Sequence, residues 1–363
     1  MSGFAQQLGR LRRSVGLIRM DDLAKVAVRG EHAYDLLDAA LPCAMHLLDG
    51  QARQTLLLRE DATVAADVLL VCEDDHYLLL ADGVSSGQLL ETLSGHRQRG
   101  WEVELESLEQ SHALIQLSGP WAWELLADFD TPGIAGMRYL AAARIDSGLC
   151  IRAGHTGEYG YDLLVPHSQA STVWDRLIEL GARMDAGAVG REALAYAALQ
   201  DWFFDMGDLG PLGLTPLELQ LQWRLCRHKR YPGSETLRQQ REHGLAKRIT
   251  AFRSGLPLQP GQIVSCEGRG IGEIVVVKTE LAGQGCFGLA LLDLPWAQAG
   301  MVDFSVLGGA GPVELRTISP PFVTNLSLFV RAQQDPWDLR HTLEARVAPG
   351  WAPLAVGPVA VPS

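Results

Sequence analysis

Residues 152–162 read Arg152-Ala153-Gly154-His155-Thr156-Gly157-Glu158-Tyr159-Gly160-Tyr161-Asp162. Glycine accepts backbone angles that a Cβ would forbid, so Gly154, Gly157 and Gly160 predict a tight bend packed closely against something flat. Tyr161 to Pro166 then reads as a strand, which carries Asp162 out of the bend on a fixed backbone. A buried carboxylate facing a planar donor edge grips pterins and purines through two parallel charge-assisted hydrogen bonds. A hairpin with a solvated acidic rim satisfies the same letters.

Downstream of this bend, Ser168 is a candidate cap for a helix through Val173, Leu177 and Leu180 that Gly181 stops. Upstream, His32 to Ala40 has helical spacing. Val64–Cys72 and His76–Ala81 read as strands joined by Glu73-Asp74-Asp75, and Ser86–Leu93 as a helix. Val103–Leu105 and His112–Leu117 read as strands, after which Pro120 opens a helix to about Asp128. Strands and helices mix without strict βαβ alternation, so the expected class is α+β. From about Leu245, β-rich runs (Arg248–Phe252, Ile271–Val277, Phe287–Leu292, Val302–Leu307) lie between glycine and proline turns and predict a small barrel. Gly268-Arg269-Gly270-Ile271-Gly272 belongs to a barrel turn, since no helix follows it. Beyond Gln333 the letters show little periodicity and predict an irregular extension packed on the surface.

A chain of 363 residues exceeds what one hydrophobic core organises, so two or three domains are expected. The net charge of −12 opposes general nucleic-acid binding, which needs cations to displace counterions. No apolar run reaches the roughly 20 residues of a membrane span, and the first residues lack a secretory profile. The six cysteines are scattered with no C-x-x-C, which speaks against zinc and suits buried thiols in a reducing cytoplasm. Neither a metal, a membrane nor a nucleic acid is expected as a partner.

Two further stretches stand out. Asp67 interrupts the apolar run from Thr63 to Val71; a carboxylate there is costly to desolvate unless it is paired, used, or exposed at a sheet edge. Arg224-Leu225-Cys226-Arg227-His228-Lys229-Arg230 is the one strongly basic cluster in an acidic chain, read as a solvated loop or an anion-attracting surface.

The 152–162 bend resembles the Arg-x-Gly-Tyr-Thr-Gly-Glu-x-Gly-Phe-Glu segment of the glycine-cleavage T-protein (aminomethyltransferase) family. That family also takes in folate-dependent demethylases and the folate-binding domains of sarcosine and dimethylglycine oxidases. Other blocks agree in order: Val15–Ile18, Lys25–Gly30, Gly50 through Asp67–Leu70, Ala113–Pro120, Thr215-Pro216-Leu217-Glu218 with Trp223, and Pro320-Pro321-Phe322. The resemblance spans roughly residues 14 to 322. It implies a T-protein-like multi-domain cloverleaf: residues 1–240 as a folate-binding region of two intertwined α+β subdomains, 241–322 as a C-terminal β-barrel, and 323–363 as the extension.

By the same resemblance, Asp67 corresponds to the catalytic carboxylate near the reactive folate nitrogens, although Ala66 replaces its acidic neighbour. Asp162 stands where the family's Glu clamps the pterin, one methylene shorter, with Glu158 in support. Arg191 corresponds to an Arg able to neutralise a folate carboxylate. Tyr139 and Trp223 are candidate stacking or pocket-wall aromatics, or else core. His155 replaces a Tyr and Asp82 an Asn; both are candidates to protonate or orient a leaving group, His155 otherwise being a polar liner. The basic cluster would attract a γ-glutamyl tail. Lost motifs around Ala195–Leu199 and Val276–Glu280 fall where the family meets its carrier and substrate. The implied function is a tetrahydrofolate-dependent one-carbon transferase or demethylase taking a methyl or aminomethyl unit from a small amine-, oxygen- or sulfur-linked donor. A carrier protein or flavoprotein is a possible partner. A non-catalytic folate-binding accessory protein of the same fold is the competing reading.

Overall fold

The computed structural model describes residues 3–130, 133–281, 285–308 and 311–351. The chain opens with helix α1 (Phe4–Arg13), whose Leu8, Leu11 and Arg12 are buried and whose last turn carries arginines that complement the helix dipole. Strands β1 (Gly16–Arg19) and β2 (Ala24–Arg29) follow, then helix α2 (Ala33–Ala40). A meander of β3 (Gln51–Leu58), β4 (Val64–Glu73) and β5 (His76–Asp82) leads into helix α3 (Ser86–Gly95). Ser85 and Gln88 form a reciprocal capping box that fixes the start of α3. Strands β6 (Glu104–Ser107) and β7 (His112–Ser118) precede helix α4 (Ala122–Phe129).

Strands β8 (Ala142–Ile145) and β9 (Gly148–Ile151) reach the glycine bend, which delivers β10 (Gly160–Pro166). Helix α5 (His167–Gly181) ends at the expected glycine, but it begins at His167 directly after Pro166. Ser168 therefore lies inside the first turn and does not cap it, because the proline's fixed φ already launches the helix. Next come the short β11 (Gly187–Ala188), α6 (Arg191–Gln200), α7 (Met206–Leu209) and α8 (Ser234–His243).

The remaining strands are β12 (Lys247–Ser254), β13 (Ile263–Cys266), β14 (Arg269–Thr279), β15 (Cys286–Asp293), β16 (Phe304–Gly308) and β17 (Gly311–Ile318). They form a closed barrel in the order β12-β15-β14-β13-β16-β17, sealed by pairing of β12 with β17. The other strands make a five-stranded sheet, β3-β4-β5-β2-β6, and a six-stranded sheet, β11-β1-β7-β10-β9-β8. Helices α2 and α3 cover one face of the five-stranded sheet, while α4 and α5 cover one face of the six-stranded sheet. The opposite faces meet at a central core that also takes in α6 and part of the barrel, with Ile18, Leu69, Leu114, Leu194 and Phe287 in one cluster. Three β units around a shared centre are the cloverleaf expected from the sequence.

Past the barrel the structure departs from expectation. Where an irregular extension was expected, helix α9 (Arg340–Trp351) forms, and Leu326, Val330 and Leu343 are buried in the core beneath α4 and α5. Trp337 meets Trp121 edge-on with ring centroids 5.0 Å apart. Apolar anchors spaced far apart leave no local period, yet they find a preformed face to cover.

The bend itself depends on glycine where φ is positive. Gly157 has φ +68°, and a Cβ there would run into Asn325 Nδ2 and approach Asp201 Oδ1 to 2.5 Å. Gly157→Ala is expected to cost about 2 kcal/mol or more, combining left-handed strain with overpacking. A lowered denaturant midpoint with an unchanged slope is the measurement that checks it.

Candidate active site

Two cross-strand pairs face the space between the sheets. On β4 and β5 Asp67 stands directly opposite Asp82, and on β7 and β10 Gln116 stands opposite Asp162. Asp67, Gln116 and Asp162 each interrupt an apolar run, and Asp82 ends β5. Together with Met20, Leu23, His155, the α6 residues Arg191, Leu194 and Ala198, and Phe204 and Asp205, they line a narrow, partly open cleft with roughly 50 Å³ of free space.

Asp162 is 3% exposed and Gln116 is fully buried. Gln116 Nε2 donates to Asp162 Oδ1 at 2.8 Å. Burial pushes the Asp162 carboxyl up to about 7, and the single side-chain hydrogen bond only partly opposes this. Gln116 Oε1 is itself buried with no partner. The pair therefore presents acceptors in excess of donors toward the cleft, complementary to a flat ring edge rich in N–H groups.

Asp67 is held differently. Arg224 Nη1 donates to its Oδ2 at 2.7 Å, with the arginine side chain 2% exposed. The basic cluster is thus not simply a solvated loop. Arg224 turns inward as the partner of Asp67, and Lys229 pairs with Asp38 at 2.8 Å, leaving Arg227 and Arg230 exposed.

Arg191 is engaged within the cleft, 3.5 Å from Asp82 Oδ1 and 3.3 Å from Asp22 Oδ2. It therefore stands at the cleft wall as an ion-paired, partly exposed cation. Burial pushes the Asp82 carboxyl up, with Arg191 opposing it. His155 lines the cleft with its ring edge-on to Phe203, centroids 5.5 Å apart. Burial pushes its imidazole down, with Asp67 opposing.

The remaining candidates do not line the cleft. Trp223 is 63% exposed and covers the Arg224 guanidinium, 4.9 Å from ring centroid to carbon. Tyr139 is 54% exposed, its hydroxyl accepting from Gln54 Nε2 at 3.2 Å. Glu158 points the other way. It accepts from the Leu326 and Ser327 amides at 3.0 and 2.8 Å and lies 3.9 Å from Arg12. Arg12 in turn reaches Asp201, Gln200 and Asn325. Glu158 thus fastens the post-barrel segment to the back of the bend. Burial pushes its carboxyl up to about 7 against the pull of Arg12. Glu158→Gln puts an N–H among these donors and is expected to speed hydrogen exchange at the Leu326 and Ser327 amides about tenfold, the loss of one hydrogen bond's net worth.

Sequence reasoning missed Gln116, Arg224 and Arg12. Gln116 was detectable, since it interrupts Leu114-Ile115-Gln116-Leu117 just as Asp67 interrupts its own run. Arg224 was seen only as part of the basic cluster, and Arg12 carries no local signal. Among the described residues no group of three His, Cys, Asp or Glu is placed to hold a metal, and no helix is long and apolar enough to cross a membrane.

The family model for the GCVT N-terminal domain matches residues 1–229. The chain therefore belongs to the GCVT family. An aminomethyltransferase of Caldanaerobacter subterraneus is 26% identical over 304 residues, covering 80% of each chain. An aminomethyltransferase of Flavobacterium psychrophilum is 24% identical over 272 residues, 72% of this chain and 75% of the relative. The glycine cleavage system aminomethyltransferase T from Bartonella henselae shares the fold, with a TM-score of 0.77 at 22% identity over 88% of this chain and 90% of its own. The curated relatives are thus named as enzymes, and this chain is a member of their enzyme family.

Proposed function

We propose that the chain is a tetrahydrofolate-dependent transferase that takes a methyl or aminomethyl unit from a small amine-, oxygen- or sulfur-linked donor. One observation carries this reading: a buried acid, Asp162, stands beside the unpartnered amide oxygen of Gln116 in the cleft between the two sheets. Such an acceptor-rich wall fits the amino and ring N–H donors of a pterin, and the names of the relatives agree with it.

When bound, tetrahydrofolate supplies the nitrogen that accepts the one-carbon unit. Asp162 and Gln116 would hold its donor edge, while Leu69, Leu80 and Leu114 exclude water from the ring faces. Asp67, tethered by Arg224, places negative charge at the cleft wall. Asp82 and His155 would orient the group that leaves the donor. Holding both partners in line is worth up to ~7–11 kcal/mol of the barrier.

Calorimetric titration with tetrahydrofolate tests the reading, followed by a screen of N-, O- and S-methyl donors for 5-methyltetrahydrofolate. Micromolar binding with turnover of one donor class is expected. Absence of binding overturns the reading, whereas binding without turnover favours the accessory role. A carrier or flavoprotein partner is tested by co-purification from the native source.

A further inference from the structure

We propose that Arg224 is a positioning residue: from behind the cleft wall it holds the Asp67 carboxylate in one direction, so that its negative charge favours positive charge on the bound one-carbon centre. The proposal rests on the folate reading above and adds a residue and a role to it.

Asp67 lines the cleft, whereas Arg224 does not. The guanidinium therefore acts through the carboxylate and not on a ligand. Its direction is set by backbone outside the cleft. The Arg224 amide donates to Leu221 O at 3.0 Å, and the Cys226 amide to Pro42 O at 2.6 Å. Trp223 covers the exposed side of the guanidinium. Nη1 occupies Asp67 Oδ2, and Oδ1 makes no hydrogen bond among the described residues. One oxygen is anchored and the other is left for the cleft.

The neighbouring acid does not share this partner. Asp82, directly across the strand pair, has its own guanidinium in Arg191. Two adjacent carboxylates thus keep separate counter-ions. Stability alone is a poor reason to keep such a pair, because a buried ion pair is often matched or surpassed by apolar residues of similar size. Arg224 Nε, buried without a partner, adds a desolvation cost that packing alone does not explain.

The test compares two folates of nearly equal shape by calorimetry. 5,10-Methenyltetrahydrofolate carries a positive charge over its one-carbon bridge, whereas the same bridge in 5,10-methylenetetrahydrofolate is neutral. The wild-type protein is expected to prefer the cation by about tenfold, the scale of one partly buried charge interaction. Arg224→Met is expected to bring that ratio near one. Arg224→Lys keeps the charge but not the forked geometry, so it is expected to fall between and guards against misfolding of the methionine variant. Asp67→Asn removes the preference, and adding Arg224→Met to it changes the ratio no further. An unchanged ratio in Arg224→Met means a merely structural arginine and overturns the proposal. A raised ratio overturns it too, because Arg224 would then act directly as a repelling charge. If the wild-type protein binds neither folate, the folate reading fails and takes this proposal with it.

Discussion

Asp162→Asn is expected to weaken tetrahydrofolate binding about a hundredfold while leaving the protein as stable as the wild type or more so. Two charge-assisted hydrogen bonds become weaker neutral ones, and one amide N–H then faces the donors of the ring; each such loss is worth about 1.5 kcal/mol. Stability moves the other way because the wild-type carboxyl is buried with one hydrogen bond from Gln116. Its folded-state value near 7 lies above that of a free carboxyl. As pH rises from about 4 toward 7, the unfolded chain releases this proton while the folded chain retains it, so stability falls across that window. Asparagine removes this dependence. Affinity has the opposite slope: the carboxylate is the binding form, so tetrahydrofolate binding should tighten about tenfold between pH 6 and 8 in the wild type and stay flat in the variant. Calorimetry across pH, with thermal melts alongside, reads all three effects. Equal affinity in the two proteins would remove Asp162 from the binding site.

Asp67→Asn is expected to be the more damaging change to the fold. Among the described residues Asp67 is the one acid paired with Arg224, whose side chain is 2% exposed and already has an unpartnered Nε. Breaking a buried pair by removing one member costs about 3–5 kcal/mol, since the remaining charge stays uncompensated. Denaturant unfolding should therefore show a clear loss, and Asp67→Asn/Arg224→Met should recover most of it. Turnover should not recover in the double variant, because the charge at the cleft wall is gone in both. A double variant that regains activity would mean that Asp67 serves packing alone.

The alternation of β-rich runs with turns made the barrel legible, and apolar spacing located about half of the strands and helices to within a few residues. A polar letter in an apolar strand pointed to Asp67, and the glycine bend pointed to Asp162. What failed to show was anything requiring long-range pairing. Arg224 sits among other basic residues that face solvent, and only its seating 157 positions from Asp67 distinguishes it. Glu158 lies beside the bend in sequence, yet β10 carries Asp162 into the cleft while Glu158 remains on the reverse side with Ser327. Proximity along the chain does not tell which side of a turn a side chain occupies.

The fastening of Glu158 to Leu326 and Ser327, and of Arg12 to Asn325, bears on how the protein comes off the ribosome. Both α+β lobes are translated before residue 325 exists, so the nascent chain carries the glycine bend without its rear brace. Release of about the last tenth of the polypeptide, rather than collapse of the first, would then be the event that sets the bend carrying Asp162 in its final place.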